Sequence, residues 1–185
     1  MFESIRSNPT TQSSTGEHPA RELSAESFLA TVDAVMETDW LANLANFASL
    51  VMSEVPGLNW VGFYLVKDSS PSVSSGQVPN KILVLGPFQG LPACIRIPIG
   101  KGVCGTAAHE NRTLIVDNVD DFAGHIACDT KSKSEIVIPL SIDRQVRGVL
   151  DVDAPTLARF DKKTAETLEK AVKILLLKTA WPKSF

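Results

Sequence analysis

Two apolar segments separated by only two residues constrain the fold of this chain more than any other feature. EIVIPLSI (135–142) and QVRGVLDVDA (145–154) are connected by Asp143-Arg144 alone. So short a connection joins antiparallel strands, because parallel strands need a crossover of a dozen or more residues. The sequence therefore predicts a β-hairpin at the heart of an antiparallel sheet.

The surrounding segments predict further strands and several helices. LNWVGFYLV (58–66) is apolar on both faces, which is typical of a central buried strand. Other predicted strands are KILVLGPF (81–88), ACIRIPI (93–99) and RTLIVDNV (112–119). Ser24, Asp39 and Asp161 are predicted helix N-caps, and GKGVCGTAAHE (100–110) predicts a glycine turn that opens a short helix. Two helices, five or six strands and a closing helix indicate an α+β fold, with one sheet covered by helices.

The length of 185 residues is typical of one domain. Residues 1–20 are rich in Ser, Thr and Pro and predict a disordered tail, so the domain is expected to span residues 21–181. The polar segment Lys67–Asn80 predicts a flexible hairpin loop.

Charge and cysteine content restrict the partners and the compartment. The net charge of −3 gives no reason to expect a nucleic acid or an anionic membrane as partner. The three cysteines, Cys94, Cys104 and Cys128, are an odd number without CxxC spacing, which argues against a structural disulfide framework. The sequence shows no long apolar span and no signal-peptide core, so we expect a cytoplasmic protein.

Strand alternation places two carboxylates on one face. In RGVLDVD, Asp151 and Asp153 point away from Leu150, and Glu135 could bring a third carboxylate from the neighbouring strand. Like charges in a partly buried pocket raise one another's pKa, so one of them could stay protonated near neutral pH. Periodicity alone favours the alternative, in which Asp151 and Asp153 are solvent-exposed charges at a strand end.

Each cysteine has a structural and a chemical interpretation. Cys104, in a glycine-rich helix start, fits a buried small apolar residue nearly as well as a redox residue, and Cys94 lies near the start of an alternating strand. Cys128 differs, because it lies in a polar loop where packing gives no reason for a thiol. A zinc site from His125, Cys128, Cys104 and His109 lacks a second closely spaced pair, so we expect no metal.

Trp60 and Tyr64 share one face of their predicted strand. Core packing is the favoured interpretation, and a pocket wall is the alternative. The glycines of GPFQG and GKGVCG lack the Lys-Ser/Thr of a phosphate-binding loop, so we expect no bound nucleotide and no cofactor.

Six motifs carry a resemblance to a known family. NWVGFYL, LGPFQG, IPIGKGVCGTA, GHIACD, SEIVIPL and GVLDVD, in this order, resemble the free methionine-(R)-sulfoxide reductases, which are single-domain GAF proteins. The resemblance spans about residues 58–160. It implies a GAF-like fold, with a central antiparallel sheet, helices packed on one side and the active site under loops on the other. It also implies a homodimer.

The resemblance also implies thiol chemistry. Cys128 matches the family's nucleophile, which attacks the sulfoxide and becomes a sulfenic acid. Cys94 matches the usual recycling partner and Cys104 is a second possible one; the resulting disulfide would be reduced by thioredoxin.

The other matching positions concern the substrate, free methionine-(R)-sulfoxide. The resemblance implies oxygen protonation by Glu135 and Asp153, and substrate contacts from Trp60, Tyr64, Asp151 and Asp129. Two alternatives stay open: a GAF-type sensor of a small ligand, and a thiol redox switch without turnover. Loss of free methionine sulfoxide from a reaction mixture would separate the enzyme from both.

Overall fold

The structure is a computed structural model and describes residues 23–68, 81–122, 124 and 131–185. Helices α1 and α2 precede strands β1 to β3, helix α3 precedes β4 to β6, and helix α4 follows. The helices are α1 Ala25–Val35, α2 Trp40–Glu54, α3 Gly102–Glu110 and α4 Lys162–Lys178. The strands are β1 Trp60–Asp68, β2 Lys81–Gln89, β3 Arg96–Pro98, β4 Leu114–Val116, β5 Ser134–Ile142 and β6 Gln145–Ala154. None of the described helices is long and apolar enough to cross a membrane.

Side-chain caps fix the starts of the three longer helices where the sequence predicts them. The Ser24 hydroxyl accepts a hydrogen bond from the Ser27 amide at 3.5 Å. The Asp39 and Asp161 carboxylates accept shorter bonds, of 2.8 and 2.7 Å, from amides three residues on. Each cap satisfies a backbone donor that the first helical turn leaves unpaired.

The sheet contains six antiparallel strands in the order β3-β2-β1-β6-β5-β4. The predicted hairpin is confirmed, because β5 pairs with β6 and both turn residues are left-handed, with φ of 50° at Asp143 and 65° at Arg144. Such angles at both central positions belong to the tight turns that match strand twist. β1 is central and its first six residues are buried, as predicted.

Three predicted boundaries differ from the structure. The edge strands β3 and β4 have only three residues each, and Pro98, which cannot donate to the sheet, ends β3. β1 extends through Lys67 and Asp68, which the sequence assigned to a loop, because Asp68 pairs with Lys81 across the hairpin. The remainder of that predicted loop, and the predicted tail at residues 1–20, lie outside the described residues.

Apolar side chains cover both faces of the sheet. Helices α1, α2 and α4 pack on one face, around residues such as Phe47, Phe63 and Leu150. The short helix α3 packs on the other face, in an apolar cluster that also contains Trp60 and Val149. The predicted alternation of β6 is therefore correct, but the face opposite Leu150 is a second core and not a solvent surface.

Candidate active site

Strand register places three candidate residues side by side on the α3 face. Asp153 of β6 is paired with Glu135 of β5 on one side and with Trp60 of β1 on the other. Directly opposed residues of antiparallel strands have Cβ atoms about 4.5–5.5 Å apart. Strand alternation suggests that Glu135 and Asp153 could lie together, and the register shows that they do, with the Trp60 indole beside them.

The Trp60 indole lies in a stack of aromatic rings. Its ring centroid lies 5.5 Å from that of Phe88 and 6.0 Å from that of Tyr64. The indole nitrogen donates a 3.0 Å hydrogen bond to the Leu91 carbonyl. Trp60 and Tyr64 are both buried, so the core interpretation holds for them, yet they lie on the same face as the carboxylates.

Two glycines make room for this indole. A Cβ atom at Gly62 would lie 2.3 Å from the Trp60 ring, and one at Gly90 would lie 2.6 Å from it. Real Cβ atoms do not approach other heavy atoms this closely. Gly62 is the register partner of Asp151, so the indole extends over the position beside that carboxylate.

Cys104 approaches the carboxylates from α3. Its thiol donates to Oε1 of Glu135 at 3.9 Å, and one ligand atom each of Cys104, Glu135 and Asp151 lie within 4.8 Å of one another. All three side chains are buried, and Asp151 is only 7% exposed. The solvent-exposed alternative is therefore wrong for Asp151, because α3 covers this part of the sheet. Asp153 is half-buried.

Burial and mutual repulsion favour the protonated forms of these groups. Desolvation, followed by the charges of Asp151 and Asp153, raises the pKa of Glu135 well above its usual value. Desolvation also raises the pKa of Asp151 from 3.8 to about 6, although hydrogen bonds from Cys104 and Glu135 oppose the shift. The Cys104 pKa is raised by desolvation and then by the charges of Asp151 and Glu135, so this thiol keeps its proton.

The hydrogen bonding of Asp151 agrees with a shared proton. With both carboxyl groups ionised, its buried Oδ1 would lack a donor among the described residues. A hydrogen bond also links the Glu135 and Asp151 side chains, and two carboxyl groups can form one only when a proton lies on either of them. The cluster can therefore hold a proton near neutral pH, which is one property that a general acid needs.

A metal is less well suited to this cluster. A thiol and two carboxylates bind cations when ionised, whereas the raised pKa values of Cys104 and Glu135 favour their protonated forms. His109 of the conceivable zinc set is exposed, and in the described part of the chain only Cys104, Glu135 and Asp151 form a group with metal-ligand spacing.

The other predicted site residues have different outcomes. Cys94 is half-buried and packs at the margin of the apolar cluster that contains Trp60 and Cys104. Cys128 and Asp129, together with His125, lie outside the described residues.

Sequence reasoning missed two residues that shape this site. Phe88 stacks on Trp60. Asn59 donates a 3.0 Å hydrogen bond to the Ser132 hydroxyl, which ties the residue before β1 to the segment before β5. The only sequence signal for Phe88 is its place in the LGPFQG motif.

Comparisons with known proteins identify the family. The GAF-domain profile matches residues 39–175. The free methionine-R-sulfoxide reductase of Escherichia coli is 45% identical over 136 residues, which cover 74% of this chain and 75% of the relative. The chain belongs to the free methionine-(R)-sulfoxide reductase family of GAF proteins.

Solved structures of the family confirm the predicted fold class. The reduced form of fRMsr from Staphylococcus aureus is 42% identical, with a TM-score of 0.77 over 87% of this chain and 98% of that one. The enzyme from Neisseria meningitidis, solved in complex with its substrate, is 42% identical, with a TM-score of 0.73 over 87% of this chain and 93% of that one.

Proposed function

We propose that this protein reduces free methionine-(R)-sulfoxide to methionine with its own thiols. The observation that carries the proposal is the buried cluster of Cys104, Glu135 and Asp151 beside the Trp60 indole. It combines a proton donor with an apolar wall, in a chain whose relatives are named for this reaction. No cofactor is needed, because cysteine supplies the electrons.

The electrostatics of the cluster support a division of labour between the carboxyl groups. Glu135, whose pKa is raised well above its usual value, is the proposed donor to the sulfoxide oxygen, with Asp153 beside it in the register. Asp151, with a pKa of about 6, is mostly ionised at neutral pH and would hold the substrate ammonium group. Trp60 and Tyr64 would contact the methyl group and side chain, and Asp129 would complete the pocket.

The proposed reaction has two thiol steps. The Cys128 sulfur attacks the sulfoxide sulfur, the S–O bond breaks, and oxygen is transferred to give methionine and a Cys128 sulfenic acid. Glu135 protonates the departing oxygen and recovers the proton that the thiol loses. A second thiol then displaces the sulfenic oxygen as water and forms a disulfide. Thioredoxin, a dithiol, reduces this disulfide and becomes oxidised.

Cys94 and Cys104 are not equally suited to attack the Cys128 sulfenic acid. Cys104 is 4% exposed and its raised pKa disfavours the thiolate that attacks a sulfenic acid. Cys94 is half-buried and free of this carboxylate contact in the described part of the chain. This difference favours Cys94 as the recycling partner and assigns Cys104 to holding Glu135.

Turnover assays with three serine variants test this scheme. Purified protein is given free methionine-(R)-sulfoxide, thioredoxin, thioredoxin reductase and NADPH, with peptide-bound methionine sulfoxide as the control substrate. Cys128→Ser is expected to release no methionine, because a hydroxyl cannot reach the sulfenic state. Cys94→Ser should release about one methionine per site in a single turnover and then stop.

Cys104→Ser is the matched control, and it should continue to cycle. If Cys94→Ser cycles while Cys104→Ser stops after one turnover, the two assignments are reversed. Binding of the sulfoxide without its consumption would instead indicate a sensor.

The proposal also includes the location, the oligomeric state and the domain bounds of the enzyme. A cytoplasmic location suits three cysteines that must return to the thiol state, and the family resemblance supports a homodimer. Light scattering on the purified 20.0 kDa chain should give twice this mass. One catalytic domain at residues 21–181, after a disordered tail, should survive limited proteolysis with full activity.

A further inference from the structure

A second concavity lies on the α3 face, at the opposite end of the strands from the carboxylates. Val66 and Val146 line it, whereas the carboxylate cluster lies beside Trp60 at the start of β1. Val66 lies six positions after Trp60 in β1, which is roughly 20 Å at about 3.3 Å per residue. The cleft has a volume of about 660 Å³. Small-molecule sites usually have volumes of about 300–1,000 Å³.

The lining of the cleft is apolar at its base and basic at its rim. Val66, Val146 and Ile99 are half-buried, and Ala108 is buried beside them. Three exposed basic side chains stand around this base: Lys81, His109 and Arg144. No carboxylate is among the described residues that line the cleft.

The two permanently charged residues at the rim form no ion pair with any described residue, although acidic residues lie near them. Neither Lys81 nor Arg144 forms an ion pair within the described ranges. Asp68 lies opposite Lys81 in the strand pair, and both border an adjacent groove beside Phe185. Asp143 precedes Arg144 in the turn, and neither it nor Asp68 lines the cleft. Residues 69–80, which precede Lys81, contain no acidic residue in their sequence.

The hairpin turn between β5 and β6 brings Arg144 to the rim of the cleft, and Asn111, which follows α3, also lines it. Their left-handed backbone angles, with φ of 65° and 50°, are ordinary for a two-residue hairpin turn and for the residue that ends a helix.

We infer that this cleft binds an organic anion that combines a flat apolar body of one or two rings with a sulfonate, carboxylate or phosphate group. The rings would lie on Val66 and Val146, and the anionic group would be held between Lys81 and Arg144. His109 would add a third donor from the last turn of α3. The site is separate from the sulfoxide pocket and needs none of its residues.

Fluorescence titration of the full chain with 8-anilinonaphthalene-1-sulfonate tests the inference. We expect saturable binding of one probe per chain that weakens as salt is added. The uncharged analogue N-phenyl-1-naphthylamine should bind about tenfold more weakly, because it lacks the charge-assisted contacts. The double substitution Arg144→Gly with Lys81→Gln should weaken binding of the sulfonate by a similar factor. Lys173→Gln, at an exposed position of α4, should not.

Two controls separate binding in this cleft from loss of folding and from binding at the carboxylate cluster. Glycine fits the backbone of position 144, so Arg144→Gly alone should melt no earlier than the wild type and should still show weaker binding. Free methionine-(R)-sulfoxide should not displace the probe. Absence of saturable binding, equal affinity in the double variant, equal affinity for the uncharged analogue, or displacement by the sulfoxide would each overturn the inference.

Discussion

Replacing Asp151 by Asn should make the folded protein more stable at neutral pH while it weakens the enzyme. The wild-type carboxyl has a pKa of about 6 in the folded state against an ordinary value of 3.8. At about 1.36 kcal/mol per pKa unit, ionising this buried group costs the folded state about 3 kcal/mol. Asn keeps the shape of the side chain and removes that cost.

The sign of the pH dependence follows from the direction of the shift. Because the folded pKa is raised, the stabilising contribution of the protonated form is complete below the unfolded pKa and is lost as pH rises through 6. Linkage gives a loss of about 2 kcal/mol between about pH 4.5 and 8. The advantage of Asp151→Asn in unfolding free energy should grow by that amount over the same interval.

Urea unfolding followed by circular dichroism at several pH values measures this difference. Asp117→Asn is the matched control, because Asp117 is exposed and such a change should stay within about 0.5 kcal/mol at every pH. Steady-state kinetics on the same variants should show a raised KM for Asp151→Asn only. The raised pKa of Asp151 would be refuted if Asp151→Asn were less stable than the wild type at every pH. It would also be refuted if the difference in unfolding free energy between the two proteins did not change with pH.

Two further substitutions test the packing on either side of the sheet. Gly62→Ala places a methyl group 2.3 Å from the Trp60 ring, so it should cost about 1–3 kcal/mol in urea unfolding and lower kcat/KM; unchanged kinetics would mean that the indole does not shape the substrate pocket. Asn43→Ala removes buried hydrogen bonds to Glu37 and Thr179 on the helix side, so it should destabilise by about 1–3 kcal/mol and leave kcat intact. A loss of kcat in that folded variant would contradict the separation of the two cores.

The parts of the fold that depend on local sequence were predictable. Ser24, Asp39 and Asp161 cap helices where their side chains predict it, since a cap needs only the next three residues. The β5–β6 hairpin follows from its two-residue turn. The edge strands β3 and β4 were predicted too long, because their length depends on how much of a neighbouring strand they can pair with.

The burial of Asp151 could not be read from the sequence. Strand alternation identifies the face on which Asp151 lies, but whether that face meets water depends on where α3 packs. The contact of Cys104 with Glu135 is likewise long-range, across 31 residues. The resemblance to a family placed these residues in one site, whereas periodicity alone favoured an exposed strand end.

Strand β6 should not tolerate the insertion or deletion of a single residue. Its residues Gly148 to Val152 are all buried, with Leu150 and Val152 in the helix-side core and Val149 and Asp151 on the side of the thiol. Inserting or deleting one residue there would reverse every side chain beyond it, sending a carboxylate into the apolar core and an isobutyl or isopropyl group to the side of the carboxylate cluster. Viable insertions in this half of the chain should therefore fall at the Asp143-Arg144 turn, where added length leaves the alternation of both strands unchanged.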